Sequence, residues 1–260
     1  MVMIKRLVQS EMLKLFHRKS TLVMIFTLLV LVFLTVIFDR INTPYDSNYW
    51  GAVAGQAGLL FLVIIFSIAI AGGIMANEFA WGTIKLLLIR PANRSKILLT
   101  KYLTLIIFII VLMTILLASA MFFHGILFIF TRHGIVLPEN PGTKIVFDFS
   151  FPKLIFLYLL MFVEVLTYAT IAFTLSAITK SNALSTGVTF FTMLLGPQLA
   201  MFIAEKPWSK YFLFSHTQLT QYLKSLDLNN LGFSLMIIVL YLAVFYWAGW
   251  TVFVKRDILK

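Results

Sequence analysis

Ionisable side chains are scarce in this 260-residue sequence, and their positions decide what chemistry it can do. Glu164 lies ten residues into Leu154–Thr179, a run that otherwise has no Asp, Glu, Lys or Arg. A charged group at the centre of a membrane helix costs about 2.5–3.5 kcal/mol on insertion scales, so it faces protein or water. Thr167, Tyr168, Ile171 and Thr174 continue one helical stripe from it. Ser185, Thr189, Thr192 and Gly196 form a matching stripe on the next run. Two readings stand. Glu164 is a neutral carboxyl hydrogen-bonded to a neighbouring helix for packing, or, with Thr167 and Thr174, it lines a route through the membrane.

The longest polar interruption of the first half is Asn77–Lys101, which holds Glu78, Lys85, Arg90, Arg94, Lys96 and Lys101. Gly82-Thr83 suits a helix start, because the Thr83 hydroxyl can accept an orphaned backbone N–H. Pro91 stops that helix and pushes Arg90 out of helical geometry. Between them Ile84, Leu86, Leu87, Leu88 and Ile89 leave little polar face. Asn93-Arg94-Ser95 restarts a helix. A short apolar helix outside the bilayer, flanked by Lys and Arg, needs a protein groove, so this stretch is expected to dock a cytosolic partner. Residues 3–18 predict an amphipathic helix with Ile4, Leu7, Val8, Met12 and Leu15 on one face, lying in the interface. Glu11 projects onto that apolar face. It either pairs locally with Lys14 at i,i+3, or packs against protein and meets a basic partner there.

Other chemistries lack their residues. The sequence has no G-x-x-x-x-G-K-[ST], so it does not cradle ATP phosphates in a P-loop, and no H-E-x-x-H. His17, His124, His133 and His216 fall near or beyond the span ends, and no metal site or catalytic residue is expected. Cysteine is absent, which removes disulfide and thiolate chemistry.

The elements that position these groups follow from composition. Hydrophobic residues make up 61% and charged residues 12%, and the mean hydropathy is +0.98. No soluble domain of this size has that balance. A spanning helix needs about 20 apolar residues. Runs free of charge cover Ser20–Phe38, Ser47–Asn77, Tyr102–Thr131, Ser181–Ala204 and Leu228–Val254, and Leu154–Thr179 is broken only by Glu164. The expected fold is all-α: a polytopic membrane protein with six transmembrane helices, an N-terminal amphipathic interface helix and a cytosolic coupling helix. Residues 1–260 form one transmembrane domain. Within it, residues 1–19 are the interface helix, 77–101 the cytosolic segment, and 197–227 an external, partly re-entrant segment after a helix break at Gly196-Pro197. Phe147–Pro152 is expected to be extended at headgroup level. The small residues Gly51, Ala54, Gly55 and Gly58 suit close helix approach, within the subunit or in a dimer. No cleavable signal is evident, and the first span is expected to act as an uncleaved anchor.

An even number of spans puts both termini on one side. That side, with residues 1–19, 77–101, Lys180 and the tail, holds 14 of the 21 Lys and Arg. The positive-inside bias then makes it the cytosol. The formal charge of +11 is thus a topology signal and an attraction to anionic membrane lipid, and nucleic-acid binding is not expected.

With these residues assembled, the chain resembles the permease subunit of the ABC type-two exporters. Glu11-x-x-Lys14-Leu15 resembles that family's elbow helix. Glu78, Gly82-Thr83, the Leu-rich stretch to Arg90-Pro91, Arg94 and Lys101 resemble its E…GT…LL…P…R…K signature after the second span. The Gly196-Pro197 pair, Tyr211–Phe214 and Lys255-Arg256-Asp257 also fit. The resemblance implies a homo- or heterodimer of permeases in a bacterial plasma membrane, served by separate cytosolic ABC ATPase subunits that bind ATP and Mg. It makes residues 77–91 the coupling helix, with Glu78 and Arg90 holding its ends. It implies no cofactor on this chain, and ATP-driven export of an amphipathic or hydrophobic compound, with a peptide antibiotic or membrane-active peptide as the expected cargo. Two other functions remain open: an ion-coupled carrier using Glu164, and a non-transporting scaffold for a cytosolic partner.

Overall fold

The computed structural model describes residues 2–42, 49–82, 93–132, 150–225 and 228–255. Among these there is no strand. Helix α1 is Val2–Phe16 and α2 is Lys19–Asn42. Helix α3, Tyr49–Gly55, passes through a 3₁₀ turn at Gln56–Leu59 into α4, Leu60–Ala80. Helix α5, Arg94–Arg132, is 39 residues long. Then come α6, Phe151–Thr179, and α7, Asn182–Phe202. Short 3₁₀ turns lead to α8, Tyr222–Ser225, and α9, Leu228–Lys255. Among the described residues six helical stretches are long and apolar enough to cross a membrane: α2, α3 with α4, α5, α6, α7 and α9. In hydrocarbon every backbone polar group must be paired internally, so apolar runs of this length settle as helices.

The second and fourth spans form the centre. Their apolar windows are 67% and 61% buried, against 22%, 22% and 17% for the first, fifth and sixth. Helices α4 and α6 meet through Ser176, whose hydroxyl bonds to the backbone of α4. Its Oγ donates to Gly72 O at 2.6 Å and accepts from Ala76 N at 2.9 Å. Those two backbone groups are the i and i+4 partners of one helical turn, so the serine bonds to both ends of that turn. Gly72 must be glycine here, since a Cβ would run into the Thr186 side chain of α7. Helix α1 lies along the start of α5, with Leu15 buried and the Phe16 and Phe108 rings 6.2 Å apart.

Three local expectations change. Helix α7 runs through Pro197 to Phe202 rather than breaking at Gly196. The proline removes one N–H from the ladder, but Ile203 N still donates to Leu199 O at 3.1 Å, so the last turn closes beyond it. Phe151 and Pro152 open α6 instead of staying extended, with Pro152 in the first turn, where its missing N–H has no partner to lose. Among the described residues a Cβ added at Gly55 or Gly58 would meet nothing within 4 Å, so these two glycines do not mediate close helix packing there.

Candidate functional site

Lys101 organises one end of the helical bundle. It sits about two turns into α5, with its side chain only 2% exposed. Its Nζ donates to Glu11 Oε2 at 2.9 Å and to Glu78 Oε1 at 2.8 Å. Glu11 Oε1 accepts in turn from Lys14 Nζ at 2.9 Å. Two carboxylates and two ammonium groups therefore join α1, the last turn of α4 and the first turns of α5. Both expectations for Glu11 hold: it pairs with Lys14 on its own helix and meets a basic partner across the apolar face. Burial alone would push the Glu11 carboxyl up. The Lys101 charge and the hydrogen bonds from Lys14 and Lys101 outweigh that and leave it below its ordinary value of 4.5.

Around this cluster the span ends are tied together. Arg18, just after α1, lies over the Trp81 ring at 5.4 Å, and Lys180 lies over Phe79 at 4.9 Å. Trp250 Nε1 in α9 donates to Ser95 Oγ at 3.0 Å, and Arg94 Nη1 donates to Val254 O at 3.3 Å. Arg94, Glu78 and Glu11 thus stand at the same end of the bundle, where α4 ends and α5 begins. Gly82 ends the second span; the helix expected to start at Gly82-Thr83 would lie outside the described residues. Gly82 follows the Trp81 C-cap with φ +69, and its N–H donates to Phe79 O at 3.2 Å. That left-handed turn is where glycine is favoured. Thr83, Leu86, Leu87, Leu88, Arg90 and Pro91 lie outside the described residues.

Glu164 sits in α6, and its expected companions do not join it. Thr167 Oγ1 donates to Val163 O of its own helix at 2.8 Å, and Thr174 Oγ1 donates to Phe245 O of α9 at 3.0 Å. On α7, Ser185 Oγ lies 3.0 Å from Gly72 O and Thr189 Oγ1 donates to Ser185 O at 2.7 Å. The stripes therefore pair with helix backbones and do not form a polar ladder with Glu164. Among the described residues no group of three His, Cys, Asp or Glu is placed to hold a metal ion.

Two polar groupings were not legible from spacing. Gln56, 2% exposed at the 3₁₀ turn, donates through Nε2 to Asp39 Oδ2 at 3.0 Å and faces His124 Nε2 at 3.2 Å, while Thr35 Oγ1 donates to its Oε1 at 2.7 Å. His216 pairs through Nδ1 with Ser234 Oγ at 2.8 Å, and its Nε2 meets Lys210 O at 2.9 Å. Tyr222 joins at Ser234 Oγ, 2.9 Å away. Gln56 and His124 are 68 positions apart, and His216 and Ser234 are 18 apart, so no short window of the sequence brings them together. The weak signal available was a polar residue, Gln56 or Ser234, inside an apolar run.

The model of a family described as a protein of unknown function, DUF2705, matches residues 7–259. An uncharacterized protein of Bacillus subtilis strain 168, YhcI, is 36% identical over 235 residues, which is 84% of this chain and 72% of the relative. An uncharacterized membrane protein of the same strain, YdbK, is 28% identical over 255 residues, covering 95% of this chain and 99% of the relative.

Proposed function

The chain belongs to the DUF2705 family, and we propose that it is the membrane-spanning permease subunit of an ATP-driven exporter. A separate ATPase chain supplies the motor, since the sequence has no P-loop. The observation that carries this reading is the Lys101 cluster. Glu11, Glu78 and Lys101 stand on separate segments that resemble the elbow helix and the coupling signature, and they meet as one buried charge group.

The cluster suits a mechanical role. Residues 83–92 leave from the end of α4 and return at the start of α5. Glu78 and Lys101 clamp those two ends together and Glu11 locks the interface helix to the clamp. A rigid displacement of a docked ATPase passes through this joint to the second and third spans and to α1 at once. In this reading the joint faces the cytosol of a bacterial cell, both termini are cytosolic, residues 77–91, which begin in the last turn of α4, carry the coupling helix, and a second permease subunit completes the pathway. The cargo is an amphipathic or hydrophobic compound, with a membrane-active peptide as the favoured class.

Affinity purification in mild detergent tests the reading. An ATPase chain is expected to accompany the native protein in a fixed ratio, and Glu78→Lys is expected to lose it or to uncouple its hydrolysis from export. Export of cargo by the purified chain with no nucleotide-hydrolysing companion would end the proposal.

A further inference from the structure

Glu164 differs from the neighbours above and below it on its face of α6. Leu160, Tyr168 and Ile171 share that face and are 3%, 1% and 6% exposed. Leu160 and Ile171 pack with Leu213 and Leu219 from the segment after α7 and with Leu231 and Ile238 of α9, while Tyr168 belongs to the main core, with Phe214 against it. Glu164 lies between them, yet keeps partial exposure. A long side chain that stays accessible within a sealed stripe marks an opening in the seam. Among the described residues none donates a hydrogen bond to its carboxyl or forms an ion pair with it. The Tyr168 hydroxyl, which interacts electrostatically with Glu164, is hydrogen-bonded with Thr217, and other polar groups of the surrounding segments are engaged too. Thr217 Oγ1 donates to Phe214 O at 3.1 Å, both ring nitrogens of His216 are engaged, and Thr167 is bonded to its own backbone. Lys210 is turned toward the Tyr211 ring, 5.3 Å from its centroid. One turn from Glu164, Tyr168 stacks on Phe214 with centroids 6.3 Å apart.

We propose that this opening, between α6, α9 and the segment after α7, binds the cationic group of an amphiphile, with Glu164 as its counter-charge. An apolar seam lined by aromatic rings and holding one carboxylate favours a large, weakly hydrated cation, whose charge meets Glu164 while its apolar body replaces lipid in the seam. The inference rests on the permease reading only in naming the ligand as cargo; the binding itself stands on the geometry of the seam. It narrows the cargo from amphipathic compounds in general to those that carry a positive charge.

The test uses the native chain in nanodiscs, with tetraphenylphosphonium as the probe and tetraphenylborate as its counterpart of opposite charge, each measured against empty nanodiscs. Saturable binding of the phosphonium is expected, with no saturable binding of the borate. Glu164→Gln is expected to weaken phosphonium binding by about tenfold or more, one decade of affinity being the scale of a single charge contact, and Glu164→Asp to retain part of it. Equal phosphonium affinity in the native and Glu164→Gln proteins overturns the proposal. Equal, saturable binding of both probes by the native protein overturns it as well, and that arm needs no variant to fold. Phosphonium binding without ATPase capture leaves the site standing and removes the export reading; capture without binding does the reverse.

Discussion

Lys101 shows how much depends on one side chain. Its ammonium is almost wholly removed from water and is stabilised there by two carboxylates from two other elements. Removing it leaves Glu11 and Glu78 facing each other without their shared cation. Loss of one partner from a buried ion pair costs about 3–5 kcal/mol. Lys101→Met is therefore expected to lower the unfolding free energy, measured by SDS titration in mixed micelles, by that order. Glu11→Gln should lower it by less, about 1.5–3 kcal/mol for one charged hydrogen bond. The cluster also sets an acid limit. The folded Glu11 carboxyl titrates below its ordinary value of 4.5. Its contribution is thus present above 4.5 and is lost as pH falls through the folded value. The native protein is expected to show this acid loss of stability, and Glu11→Gln to lack it; identical acid profiles would contradict the pairing. Sequence spacing made Glu11 conspicuous as a carboxylate on an apolar face. It could not identify Lys101 as the partner, because 90 residues separate them and only the docking of α1 on α5 brings them together.

At the level of elements, the fifth span and the segment after it depend on Gly196. A Cβ there would meet the Phe214 ring at 2.5 Å. Backbone and ring are in contact, and Phe214 in turn stacks on Tyr168 of α6. Gly196→Val is expected to displace Phe214, with a cost of about 1–3 kcal/mol typical of overpacking. Limited proteolysis should then cut faster within residues 203–221. Gly187→Ala on the same helix is the control, because nothing lies within 4 Å of its Cβ position, and its cleavage rate should match that of the native chain. The same contact explains why a Gly-Pro pair did not end the helix. The glycine makes room for an aromatic ring, and the proline removes one bond from a ladder whose next turn still closes. Ser176 is the other device at this scale. A serine in an apolar run reads as a neutral packing residue, and its bonds to Gly72 O and Ala76 N became visible only with α4 and α6 side by side.

For the molecule as a whole, the six spans alternate so that Lys19, Ala80, Arg94, Thr179, Asn182 and Lys255 mark one end of the bundle. The absence of cysteine makes its orientation directly measurable. On the proposed topology, Lys96→Cys should react with a membrane-impermeant maleimide only in opened cells, and Glu205→Cys should react on intact ones. The reverse pattern would invert the topology and remove the ATPase-docking role of residues 77–101.

Composition and the lengths of the charge-free runs determined the all-helical class, the six spans and their approximate limits. Those properties are local, because a backbone in hydrocarbon must bond to itself within each segment. Which carboxylate met which cation, which glycine had to be glycine, and where an accessible Glu164 remained in a sealed face were decided by tertiary structure. Each of these depends on the distance between side chains on different helices, and apolar helices of similar composition pack in many arrangements that the order of residues along one of them does not distinguish.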